Sequence, residues 1–328
     1  MYVVTGGAGF IGSNILAALE TRTDRKIVVC DRLRDGDKWR NVAKRDLTDV
    51  VHPDDLFDFL VNNASNIKAV IHMGAISSTT ETDADKIFEN NFRLSMDLWR
   101  WCTGQHVPFI YASSAATYGG GEYGFEDVED GKGLSKFRPL NPYGWSKHLF
   151  DRRIARMIKD GDPHPPQWVG LKFFNVYGPN EYHKGGQKSV VAHVYPDAKK
   201  GKEATLFKSH NKAYKDGGQL RDFVWIGDCV DLVLWFLENP DVSGLFNCGT
   251  GTARSFADLA TAVFAALGKK AQIKYVPTPM AIRDKYQYFT EADMKKLRAA
   301  GYKKTFTPLE DGVAKYVQGY LDAEDPYI

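Results

Sequence analysis

The chain has 328 residues, 43% of them hydrophobic, and its 43 Lys and Arg are nearly balanced by 41 Asp and Glu. That balance gives no warrant for a nucleic-acid partner, and no apolar stretch nears the ~20 residues that a membrane-spanning helix needs. A cytoplasmic, soluble protein acting on a small-molecule substrate, in one large or two medium domains, is the expectation. Cys30, Cys102, Cys229 and Cys248 stand isolated, so free thiols and no metal site are expected.

In chain order, short apolar runs alternate with helical patterns. The first strand, YVVT (2–5), leads into TGGAGFIG and a helix. Gly6, Gly9 and Gly12 there allow a tight turn, close approach of backbone to a pyrophosphate, and close packing of helix on strand. Phe10 and Ile11 lie inside the same motif. The second strand, 26–31, ends at Asp31, 19 residues after Gly12, the residue type that bonds the ribose hydroxyls of NAD. The next residues bring Arg32, Arg34 and Lys38, which suit the 2'-phosphate of NADP, so these residues leave the choice between NADP and NAD open. The third strand, 68–73, ends in Met73, followed by the small residues Gly74 and Ala75 and by Ser77, suited to backbone lying along a cofactor. Asn90, in the next helix, either touches the same ligand or holds a loop.

The fourth strand, 107–113, runs into ASSAATYG, where Ser114 and Thr117 offer hydroxyls to a substrate oxygen. Then comes NPYGWSK: Pro142 starts a helix with Asn141 as its cap, and Tyr143 and Lys147 fall at i and i+4 on one face. An ammonium beside a phenol favours the phenolate, which can take a proton from an alcohol while hydride leaves for a dinucleotide. Such a spacing is common on helix surfaces. The glycine loop upstream and the serine between them make it a catalytic candidate, with Lys147 also reaching the cofactor ribose.

A fifth strand spans 167–174. Beyond it the pattern loosens: a helix near 188–199, the polar stretch KSHNKAYKDGGQ, then DFVWIGDCVDLVLWFLE and GLFNCGTG, read as a strand or two and a helix that rejoin the first sheet. Helices near 255–267, 290–299 and 308–321 complete a smaller lobe, and the acidic AEDPYI is expected to fray. The fold class expected is α/β: a doubly wound parallel (Rossmann) sheet with a smaller C-terminal α/β substrate lobe. Residues 1–174 plus 222–251 make the dinucleotide domain, and 175–221 plus 252–328 the substrate lobe.

Taken together, TGGAGFIG, ASSAATYG, NPYGWSK and FFNVYGPNE resemble the extended short-chain dehydrogenase/reductase family of nucleotide-sugar epimerases, dehydratases and reductases. The dehydratases of that family carry an Asp-Glu pair where this chain has Ala115 and Ala116, which points toward epimerisation. DRLRDGDKWRN, MGAISSTTETD, NPYGWSKHLFD, FNVYGPNEYHKG, RDFVWIGD and YQYFTEADMKKLRAAGY carry a resemblance, nearly end to end, to the ADP-heptose 6-epimerases within it. That resemblance implies NADP as cofactor, ADP-heptose as substrate, a homo-oligomer of pentameric form, and inversion at C6 through a transient ketone with an acid/base on each side. Tyr143 is one; the family's second falls on Lys184 in EYHKGG. The family's substrate positions fall on Asn175, Lys184, His193, Phe207, Lys208, Ser209, His210, Arg221 and Tyr286. Two departures stand out: Gly186 replaces a serine, and the longer stretch before Arg221 blurs the register of 207–210.

Overall fold

A computed structural model describes residues 1–283 and 286–328. Seven parallel strands form the main sheet: β1 (Tyr2–Thr5), β2 (Ile27–Cys30), β3 (Asp49–Val51), β4 (Ala69–His72), β5 (Phe109–Ser114), β6 (Trp168–Phe173) and, later in the chain, a strand Gly244–Cys248 beside β6. Their spatial order, from the Gly244–Cys248 edge, is that strand, then β6, β5, β4, β1, β2 and β3. Alternate residues face opposite sides. Val4, Val29, Ile71 and Ile110 enter one core and Val3, Val28, Val70 and Phe109 the other, so both faces are dry and the strands read as continuous apolar runs. The order reverses between β1 and β4, and there the carboxyl ends of the strands open a crevice for a ligand.

Two smaller sheets lie beyond the main one. β7 (Asn175–Tyr177) pairs parallel with β9 (Leu220–Trp225), which takes Ala253–Ser255 antiparallel on its other edge. β8 (Ala204–Phe207) pairs with a parallel strand at Ile273–Val276. Of the region expected to rejoin the main sheet, only Gly244–Cys248, numbered β10, does so. β9 stays with the smaller sheet, where the buried Asp222 carboxylate accepts the backbone N–H groups of Thr250 at 2.7 Å, Gly251 at 2.9 Å and Ala292 at 3.0 Å. Two of these backbone donors fix β9 against the loop after β10 and the third against the segment at Ala292, a non-local constraint with no periodic signature.

The stretch AEDPYI does not fray. Tyr327 is 8% exposed, and Lys44 pairs with Asp325 at 2.7 Å and donates to the Tyr327 carbonyl at 2.6 Å. An aromatic ring with somewhere to bury offsets the entropy of ordering the segment.

The helix Pro142–Asp160 begins as expected, with Asn141 accepting the Gly144 N–H at 2.8 Å, and ends at Gly161 with φ +76°. A Cβ on Gly144 would lie 2.7 Å from the Ala116 carbonyl oxygen, so glycine lets the helix press against the turn that follows β5. Further along the same face, the Asp151 carboxylate accepts from Ser113 at 2.7 Å, Tyr111 at 3.1 Å and Lys172 at 2.5 Å, and the Lys172 and Asp151 side chains have no exposed surface. Removing one partner of such a pair strands a charge in a dry site. Lys172→Met is expected to cost about 3 kcal/mol or more in denaturant unfolding, and Lys172→Met with Asp151→Leu to recover most of that loss. A double variant as unstable as the single one contradicts this account.

Candidate active site

At the carboxyl ends of β1, β4, β5 and β6 lies a cleft of about 960 Å³. Its floor is the glycine turn. Gly6 has φ +66°, and a Cβ there would lie 2.5 Å from the Gly74 nitrogen, so the turn can touch the strand-end shelf only because residue 6 is glycine. The Gly9 N–H closes the turn on the Gly6 carbonyl at 2.9 Å, and helix Phe10–Arg22 starts at Gly9 with no side chain capping its first N–H groups and no acidic residue in its first turn. An uncapped helix start facing a cleft offers donors and a positive dipole end to an anion. Dinucleotide phosphates fit that cradle.

All the residues expected to touch the cofactor line this cleft: Gly6, Gly9, Phe10, Ile11, Gly12, Asp31, Arg32, Lys38, Met73, Gly74, Ala75, Ser77, Asn90 and Lys147. Ser114, Tyr143 and Lys184 lie on it as well. Asp31 accepts the Ala8 N–H at 2.9 Å and the Lys38 ammonium at 2.5 Å, while Arg32 pairs with Asp54 at 2.6 Å. Asn90 turns its amide to the Lys86 carbonyl at 2.8 Å. Its neighbour Asn91, missed in the sequence, holds the shelf by bonding both the N–H and the carbonyl of Ile76, at 2.8 and 3.0 Å, and Ser146 at 3.0 Å.

Burial sets the chemistry of the candidate catalytic side chains. It raises the Tyr143 phenol, opposed by a hydrogen bond from Ser114, and pushes the Lys147 amine down to about 8 against the pull of Asp151. Lys184 belongs to the short turn Tyr182–Gln187 and reaches back over the Phe10 ring, 5.1 Å from its centroid. Its amine is likewise lowered by burial, with the Glu181 carboxylate opposing. A phenol and an amine whose charged form burial disfavours thus face one cavity, and both are groups able to exchange a proton. His183, also on the cleft and unnoticed in the sequence, is pushed down to about 4, first by burial and then by Lys38 and Lys184.

The expected substrate residues divide. Thr117 is fully buried, donating to the Ser114 carbonyl at 2.8 Å and accepting from Lys172 at 3.0 Å. Asn175 and His193 are exposed and lie off the cleft lining, His193 meeting the Gly186 carbonyl at 3.3 Å. Lys208 is exposed, and Ser209 bonds back into its own loop through Asn211 at 2.6 Å. Phe207, His210, Arg221 and Tyr286 gather with two residues that the sequence did not single out, Tyr214 and Tyr288. His210 meets Tyr288 at 5.0 Å and Tyr286 at 6.0 Å; Phe207 meets Tyr286 at 6.5 Å. The guanidinium of Arg221 lies 5.6 Å from the Tyr286 ring and donates to the Gln287 carbonyl. Arg221 is 7% exposed and pairs with no carboxylate among the described residues, so a buried cation waits beside a cluster of rings.

Residues 2–249 match the NAD dependent epimerase/dehydratase family. The chain is 48% identical, over the full length of both proteins, to the ADP-L-glycero-D-manno-heptose-6-epimerase of Fusobacterium nucleatum. Among solved structures, the ADP-L-glycero-D-manno-heptose-6-epimerase of Helicobacter pylori superposes with a TM-score of 0.78 at 26% identity, covering 97% of this chain and 95% of that one. The Thermus thermophilus UDP-glucose 4-epimerase, solved with NAD, superposes at 0.76 and 27%, covering 98% and 99%. No helix among the described residues is long and apolar enough to cross a membrane. The expected sheet class and the expected kinship are both borne out: the chain belongs to the NAD dependent epimerase/dehydratase family and stands with its ADP-L-glycero-D-manno-heptose-6-epimerases.

Proposed function

We propose that this epimerase inverts C6 of ADP-D-glycero-D-manno-heptose, with NADP as the cofactor. The observation that carries the reading is the presence of two proton-handling groups of different type, Tyr143 and Lys184, in the one cleft that also holds the glycine turn. The buried Arg221 and the rings of Tyr286, Tyr288 and Phe207 suit a diphosphate and an adenine. For the cofactor, Lys38 already neutralises Asp31 at 2.5 Å, and Arg32 and Arg34 line the same end of the cleft. A cation-rich rim favours a 2'-phosphate over a bare ribose hydroxyl.

A bound nicotinamide dinucleotide supplies the reversible store of hydride, which leaves C6 and returns to its opposite face. The side chains handle the proton. Ser114 and Tyr143 hold the substrate hydroxyl, and Tyr143 takes its proton as the carbon is oxidised. Lys147, one turn along the helix, keeps positive charge beside the phenolate and reaches the ribose. Once the carbonyl has turned over in the site, Lys184 delivers a proton to the oxygen as the hydride returns, because a single fixed group cannot serve both configurations. Lys184 is then recharged from solvent or from Tyr143.

Incubation with authentic ADP-D-glycero-D-manno-heptose, followed by NMR at C6, is the direct test; turnover of a UDP-sugar with none of the ADP-heptose moves the substrate to another nucleotide sugar. Tyr143→Phe and Lys184→Ala are each expected to lower kcat by about 10²–10⁴-fold with dinucleotide affinity little changed; wild-type turnover in both ends the two-base account. Lys38→Ala is expected to weaken NADP binding while leaving NAD binding within about threefold, since the phosphate loses a partner and the freed Asp31 carboxylate can still accept from ribose hydroxyls; equal losses for both dinucleotides contradict the NADP assignment. A Lys147 amine held near 8 is charged below that pH and loses its proton above it. The profile of kcat/KM, which reports the free enzyme, is therefore expected to fall as pH rises through about 8, with Lys147→Arg moving that limb upward.

A further inference from the structure

Two segments that line the cleft are far apart in sequence. One, residues 37–45, carries Lys38; the other, 180–187, carries His183 and Lys184. Residues 325–328 join them. The Tyr327 ring lies between the two, with the Arg40 guanidinium 4.7 Å from its centroid and the Tyr182 ring meeting it edge-on at 5.2 Å. Lys44 pairs with Asp325 at 2.7 Å, and Tyr182 donates its hydroxyl to the Pro326 carbonyl at 2.8 Å. The Ile328 N–H donates to the Asn180 side-chain oxygen at 3.1 Å.

Asn180 is itself a junction. Fully buried at φ +70°, it donates to Ser13 at 3.0 Å on the helix that follows the glycine turn. Asn41 donates to the carbonyls of Ala8 at 2.9 Å and Asn180 at 3.0 Å and stands 3.1 Å from His183 Nδ1. The dinucleotide cradle, the Lys38 segment and the Lys184 segment are thus tied at one buried polar knot, and residues 325–328 close over its outer side.

We propose that residues 325–328 act as a clasp, with Tyr327 a positioning residue that locks the 37–45 segment around the bound dinucleotide and holds Lys184 in the cleft. The half concerning Lys184 rests on the reading above; the half concerning the dinucleotide does not. The turn 182–187 is a six-residue stretch with Gly185 at φ +55°, too short and irregular to fix its own geometry. Tyr182, the clasp's partner, stands two residues before Lys184, so release of its ring frees the amine to swing toward water. An enzyme that returns the same hydride to its substrate must also keep its dinucleotide through the cycle, which makes a tie across the rim of the cofactor end useful.

The test compares Tyr327→Ala, Tyr327→Phe and Lys184→Ala, alone and in the Tyr327→Ala/Lys184→Ala combination. Tyr327→Ala is expected to speed dinucleotide release, followed by stopped-flow displacement with excess unlabelled NADP or, for enzyme loaded with NAD, excess NAD, by about tenfold, the scale of an aromatic pair plus a cation–π contact. It is expected to lower kcat and to move the limb of the pH profile that Lys184→Ala abolishes upward, because a wetter amine regains its basicity. Tyr327→Phe keeps both ring contacts and restores all three readouts. In the Lys184→Ala background, Tyr327→Ala is expected to slow turnover no further, since residues acting through one group are not additive. A cooperatively melting Tyr327→Ala with unchanged release rate and unmoved pH limb overturns the clasp. If Tyr327→Ala does not fold, Asp325→Ala, which removes the Lys44 pair and the acceptor of the Tyr327 N–H while leaving the Tyr327 ring in place, must shift release in the same direction, and no shift overturns the proposal. Should Lys184→Ala turn over normally, the role of that lysine fails, and faster release in Tyr327→Ala still supports the clasp on the cofactor segment.

Discussion

The Asp151 carboxylate, buried under the helix Pro142–Asp160, accepts hydrogen bonds from Tyr111 and Ser113 on β5 and from Lys172 on β6. Those three donors reach it from two adjacent strands, so the helix cannot slide or rotate on the sheet without leaving a charge unpaired in a dry interior. Tyr143 and Lys147 precede Asp151 by two turns and one on the same face, and Ser114 ends the strand that supplies Ser113. Phenol, amine and hydroxyl are therefore registered against one another by an interaction on which no substrate bears. Lys172 carries the constraint further by bonding Thr117 at 3.0 Å, which orders the turn that Gly144 presses against.

Within this frame burial works against the charge of several cations. It lowers Lys147 and Lys184 on the cleft, and brings Arg221, in the ring cluster away from the cleft lining, down to about 10. His72, bonded to Thr5 at 2.6 Å and Ser95 at 2.9 Å, is pushed down to about 3, first by burial and then by Lys147, so the imidazole at the end of β4 adds no positive charge beside the glycine turn at neutral pH. Dianionic and diphosphate ligands then find amines that are poorly solvated and whose charged forms gain from their arrival. The same desolvation that costs the unliganded protein stability becomes attraction once an anion enters, and the amines are left able to part with a proton.

The parts of this arrangement that were legible in the sequence are those with local causes. A glycine turn between a strand and a helix, an acidic residue at the end of β2, and a proline-started helix with Tyr143 and Lys147 one turn apart each need fewer than about twenty residues to be recognised. Lys184 came only through resemblance, since a lysine in a glycine loop has no period or spacing of its own. β9 was misplaced because its position is decided by Asp222 gripping the backbone after β10, and β7 and β8 are too short for alternation to announce them. The ring cluster around Arg221 escaped notice in part because Tyr214 and Tyr288 come together from segments more than seventy residues apart.

The case of AEDPYI shows why such errors fall where they do. Its composition is that of a solvated end, and in isolation nothing in it buries enough apolar surface to offset the entropy of ordering it. What orders it is supplied elsewhere: the Tyr182 ring, the Arg40 and Lys44 cations, and the Asn180 amide. Conversely the turn 182–187 cannot hold its own shape. Two segments that are each unstable alone stabilise one another, and the amine proposed to decide the stereochemistry sits on one of them. Precision at Lys184 is then a property of the contact between the segments, which is why neither stretch of sequence, read by itself, discloses it.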